Sequence, residues 1–111
     1  MIMNRIAIAS TDGKTVHQHF GRAKEFHIVE LTGEGYIFSE TREVTPSCDK
    51  FEHGEHSFGD TWERISDCRA VLVGKIGQPA ADYLIAKGMR VFETTGVISE
   101  ILEKIISEKL L

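Results

Sequence analysis

Ile6-Ala7-Ile8-Ala9 and Ala70-Val71-Leu72-Val73 are continuous apolar runs, as expected of short strands covered on both faces. From Ile98 the rhythm changes. Ile98, Ile101, Leu102, Ile105 and Ile106 recur at helical spacing and predict an amphipathic helix. Arg5 to Ala9 is the first predicted strand. Glu25 to Leu31 and Tyr36 to Val44 are β-rich, and Thr32-Gly33-Glu34-Gly35 between them predicts a hairpin. The second run alternates only in part, with Ile37, Ser39, Thr41 and Glu43 against Tyr36, Phe38, Glu40, Arg42 and Val44, which places it near a sheet edge. Thr45 to Gly59 has no apolar period and reads as a long loop of the kind that is functional or mobile. Asp60 to Asp67 predicts a helix with Trp62 and Ile65 inward. Gln78-Pro79 opens another, with Ala80, Ala81, Leu84 and Ile85 as its apolar stripe and Gly88 as its cap. Met89 to Glu93 is the remaining strand.

The order strand, hairpin, helix, strand, helix, strand, helix predicts an α/β fold. It is a mixed sheet of about five strands in three layers, α/β/α, formed by one domain over residues 1–111. Ligands of such sheets sit at the carboxyl ends of the parallel strands. The loop after Ala9, the turn Gly74-Lys75-Ile76-Gly77-Gln78 and the turn Thr94-Thr95-Gly96 are expected to converge there. The last two lead into helix N-termini that favour an anion.

Charge narrows the partners. With 13 basic and 17 acidic residues the chain carries a net charge of −4, which argues against a general nucleic-acid binder. No apolar run reaches bilayer length and no secretory signal is visible, so the expected compartment is the cytoplasm and no membrane partner is expected. Two cysteines, Cys48 and Cys68, are too few for a disulfide framework. Cys68, ahead of a buried strand, reads as a packed thiol.

The candidate chemistry is concentrated in Ser10 to Ala23. His17 and His19 share a face if the strand alternation extends to them, and neutral imidazole is a common ligand for iron and zinc. A solvated His17 is the competing reading. Cys48 with His53 and His56 offers a thiolate and two imidazoles, although Cys-x4-His-x2-His matches no strict zinc signature; a surface cysteine on a mobile loop is the alternative. Arg22, Lys14, Lys75 and Lys24 are candidates for a cationic rim, with Arg22 best placed for bidentate recognition. Gly-x-Ser-x-Gly, Walker and Gly-x-Gly-x-x-Gly motifs are absent. Asp12, Asp49 and Asp60 do not form an evident nuclease centre.

Ile6 to Lys14, followed by His19-Phe20-Gly21-Arg22-Ala23, resembles the dinitrogenase iron–molybdenum cofactor biosynthesis family, which includes NifX, NafY and the C-terminal domain of NifB. The resemblance continues through Asp67 to Val73, Ile76-Gly77 and Gly88 to Phe92. It implies a ribonuclease H-like fold and a non-catalytic carrier of an iron–sulfur or iron–molybdenum cluster, working between donor and acceptor proteins as a monomer or weak homo-oligomer. His19 is then the leading ligand, with Phe20, Gly21 and Arg22 shaping the pocket, Asp12 and Thr95 beside it, and Cys48, His53 and His56 as further metal ligands. A regulatory module for a phosphate-bearing metabolite and a metal-dependent nuclease are the alternatives.

Overall fold

The computed structural model describes residues 4–32, 35–44 and 61–109; of Arg22 it describes the backbone alone. Strands β1 (Asn4–Ala9), β3 (Glu25–Leu31), β4 (Tyr36–Glu43), β5 (Ala70–Val73) and β6 (Arg90–Glu93) form one mixed sheet in the order β4-β3-β1-β5-β6. β1, β5 and β6 run parallel, while β3 is antiparallel to both its neighbours. Residues 61–65 are helical (α1), as is Gln78–Ala86 (α2), and Ile98–Ser107 forms α3. The expected α/β class is observed.

Alternation within the central strands builds both cores. Ala7 and Ala9 of β1 and Val71 and Val73 of β5 pack with Ile65, Ala80 and Leu84 on one face. Ile6, Ile8, Ala70 and Leu72 pack with Ile98, Leu102 and Ile105 of α3 on the other. Both faces of β5 are therefore covered, which explains its unbroken apolar sequence. Ile65 is buried and Trp62 packs against the first core, as α1 predicts; α1 ends at Ile65, whose carbonyl accepts from Cys68 N at 2.9 Å. Cys68 is buried, and burial pushes its thiol up to about 12, with Asp67 adding to the effect.

Three expectations change. Ile85 does not join the apolar stripe of α2. It is 57% exposed, because the helix rests on the line Ala80–Leu84 and turns Ile85 outward. The alternation assigned to β4 breaks phase at Ser39, where the register shifts between Ile28 and Val29. Phe38 and Thr41 consequently both reach His27, at 5.8 Å between ring centroids and 3.2 Å from Oγ1 to Nδ1. Finally, the polar loop contains a strand: β2 (Thr15–Val16) pairs with β7 (Gly96–Val97) in a separate antiparallel ribbon. Gly88 has φ +91°, the left-handed cap expected of it.

Candidate functional site

The chain from Ser10 to Ala23 leaves β1 at its carboxyl end and is secured by backbone bonds to both later crossovers. Gly74 N donates to Gln18 O at 2.8 Å and Phe20 N donates to Lys75 O at 2.8 Å. On the other side, Ile98 N at the start of α3 donates to Lys14 O at 2.8 Å. The expected convergence of this loop with the turns at 74–78 and 94–96 is thus observed, and the β2–β7 ribbon is part of it. Gly74 is required by the approach: a Cβ there would lie 2.9 Å from the carbonyl carbon of His17.

Asp12 organises the loop from within. Its Oδ1 accepts from Lys14 N at 2.8 Å, Thr15 N at 3.0 Å and Ser10 Oγ at 3.0 Å. The Lys14 amide first, then that of Thr15, holds this carboxyl well below the usual carboxylate range. Its hydrogen-bonding capacity is directed into its own loop rather than outward. His17 is exposed and bonded to Thr11 Oγ1 at 2.9 Å and Thr15 Oγ1 at 3.0 Å. β2 ends at Val16, so strand alternation does not carry through to His19, and the two imidazoles serve different neighbours.

His19 precedes a 3-10 turn, Phe20–Arg22, and its Nδ1 accepts from Gly21 N at 2.9 Å. Phe20 is buried in the core, 6.2 Å from the Phe26 ring, and pins the turn. This cap determines the tautomer. With Nδ1 accepting, a neutral ring carries its proton on Nε2 and presents a donor. Metal ligation through Nε2 requires the proton on Nδ1 instead, with an acceptor facing it, and so costs the bond from Gly21. As it stands, the ring suits hydrogen bonding to an anionic cargo, and ligation requires the turn to open.

Glu93 was not singled out from the sequence, yet its Oε2 accepts from Ile76 N at 2.9 Å, so the crossover into α2 already holds a carboxylate. Nothing in the local pattern announces that contact, which joins residues 17 apart across α2 and β6. Lys75 and Thr95 are exposed beside it. Cys48, His53, His56, Asp49 and Asp60 lie outside the described residues, as does the side chain of Arg22. Among the described residues, no three His, Cys, Asp or Glu side chains come together as a metal site.

The sequence profile of the family described as dinitrogenase iron–molybdenum cofactor matches residues 3–108. The chain belongs to that family. Relatives within it include the FeMo cofactor biosynthesis protein NifB of Bradyrhizobium diazoefficiens, 34% identical over 84 residues that cover 76% of this chain and 17% of that protein. Protein NifX of Rhodobacter capsulatus is 30% identical over 88 residues, 77% of this chain and 55% of NifX. This chain therefore corresponds to only part of each of these relatives. The crystal structure of PH0822 superposes with a TM-score of 0.72 at 30% identity, covering 94% of this chain and 90% of that one. The Methanocaldococcus jannaschii protein mj0327 shares the fold, with a TM-score of 0.62 at 17% identity. No helix among the described residues of this family member is long and apolar enough to cross a membrane.

Proposed function

We propose that the chain is a non-catalytic carrier that holds an iron–sulfur or iron–molybdenum cluster in transit during cofactor assembly, passing it between donor and acceptor proteins in the cytoplasm. The observation that carries this reading is His19, capped by Gly21 at the carboxyl edge of the sheet in a chain of the iron–molybdenum cofactor family. An anionic cluster is met there by an imidazole N–H and by Lys75, with Arg22 assigned to the same role from its place in the sequence; such groups bind anions without demanding a closed ligand set. Phe20 and Gly21 fix the geometry, Asp12 stiffens the loop behind them and Thr95 borders it. One or two of His19, Cys48, His53 and His56 ligate metal in this reading, His19 only once its turn has opened. So few protein ligands, against the four thiolates of a resident iron–sulfur cluster, suit a cargo that must leave.

The test is anaerobic titration with a preformed cluster, followed by charge-transfer absorbance. The wild type gains a chromophore that is retained through gel filtration, and His19→Ala and Cys48→Ala each lose most of it. A wild type that retains no chromophore overturns the proposal.

A further inference from the structure

A cavity lies beside Gly13 and Lys14 of the same loop. On the sheet face that carries α3, the helix covers β1, β5 and β6 through Ile98, Leu102 and Ile105. The β3–β4 half of that face is left partly open, with Tyr36 half-buried and Phe38 56% exposed. Between the open half and the start of α3 is a cavity of about 330 Å³, at the small end of the roughly 300–1,000 Å³ typical of ligand pockets. Ile8, Val29 and Ile98 form its apolar floor and wall, Tyr36 and Phe38 its rim, and Lys14 its charged corner.

Two polar features of this cavity keep hydrogen-bonding capacity that the fold does not fill. His27 lines it, and Nε2 of His27 is buried without a hydrogen-bond partner among the described residues. Glu25 Oε2 lies 3.3 Å away but off line for a hydrogen bond. A buried polar atom left unpaired is costly and ordinarily marks a missing partner. The second feature is the N-terminal turn of α3, a helix of 10 residues whose N-cap is Val97 and which has no side-chain cap. Ser99 of that turn also lines the cavity. Ile98 N is already taken by Lys14 O and the exposed Glu100 stands in the same turn, so the positive potential at this end of an otherwise apolar pocket comes chiefly from the Lys14 ammonium, with the remaining amides of the turn.

We infer that this cavity binds a small organic carboxylate with a flat apolar body. The carboxylate sits between Lys14 and the first turn of α3, the body lies against Val29 and Phe38, and a polar atom of the ligand pairs with His27. Charge complementarity selects this occupant: a neutral apolar molecule leaves the positive end unmatched, and a cation meets Lys14. The assignment does not rest on cluster carriage: it shares Lys14 and the start of α3 with the edge described above, but His19, Phe20 and Gly21 do not line the cavity.

Indole-3-acetate serves as the probe, with indole and acetate as its two halves, followed by amide NMR shifts. Indole-3-acetate saturably shifts Gly13, Lys14, Ile98 and Ser99, indole binds at least about fivefold more weakly, and acetate alone shifts none of them. Lys14→Gln and Phe38→Ala, both at exposed positions, each weaken binding about fivefold. Equal binding of indole, equal shifts with acetate, shifts scattered over other faces, no saturable shift, or unchanged affinity in both variants overturns the assignment.

Discussion

The Asp67 cluster and the Ser10 to Ala23 loop both gather charged residues, and they hold their shape by opposite means. At Asp67 the charges bind one another. Arg42 grips both carboxylate oxygens, at 2.6 and 2.9 Å, Arg5 reaches Asp67 at 2.6 Å and Glu30 at 3.1 Å, and Arg42 also meets Glu40 at 2.8 Å. In the loop it is backbone that is bound, by Asp12, Gly74, Lys75 and Ile98. Lys14 and Lys75 pair with no carboxylate among the described residues. A region whose charges are matched internally contributes stability. A region whose backbone is matched internally can spare its charges for something else.

The largest break in this comparison comes from the backbone. Gly74→Ala drives a Cβ against the His17 main chain, 2.9 Å away, and is expected to destabilise by about 1–3 kcal/mol in denaturant unfolding. Loss of the Gln18–Gly74 bond appears as faster amide exchange at Gly74. A stability change under about 0.5 kcal/mol means that the loop lifts away freely and is not secured as described.

Asp67→Asn tests the other region. It is expected to cost about 1–2 kcal/mol, because Asp67 is partly exposed and solvent screens the cluster. Arg42 first, then Arg5, holds the Asp67 carboxyl well below the usual carboxylate range. A depressed carboxyl stabilises fully above its unfolded value near about 4 and loses that contribution as pH falls through the lower folded value. The wild type therefore loses more stability than Asp67→Asn between neutral pH and about pH 3, and added salt narrows the difference between them.

Asp12→Ala sharpens the contrast through local order. Amide exchange at Lys14 and Thr15 accelerates, while amides of β5 keep their protection. Exchange unchanged at both positions refutes the organising role given to Asp12. The smallest effect concerns Cys68. In a Cys48→Ser background its buried, upward-shifted thiol is expected to resist iodoacetamide at pH 8 until denaturant is added, and rapid labelling of the native protein contradicts its burial.

Much of the fold was legible because its signals are local or periodic. The apolar runs of β1 and β5 and the five-residue stripe of α3 each state their own burial. Of the candidate site, the His19-Phe20-Gly21 turn is legible because an imidazole, an aromatic ring and a glycine stand together in a short polar loop between strands. What escaped the sequence depends on contacts between distant segments. The β2–β7 ribbon has two residues on each side, too few for any alternation to show. Glu93, at the end of β6, meets Ile76, which precedes α2. His27 became part of a cavity because a bulge in β4 brought both Phe38 and Thr41 to it. Ile85 was misread since a short helix on a narrow contact line exposes residues that a broader interface buries.

The cap on His19 has a kinetic consequence. If the proposed cargo is taken by a metal bond to Nε2, that bond must wait for the Gly21 N–H to let go and for the ring proton to change sides. Coordination is then gated by a protein motion rather than by collision. Uptake followed by stopped flow would level off as metal concentration rises, at a ceiling set by how often the turn opens. Release would obey the same gate in reverse, so a weakly held cargo could still have a long dwell time.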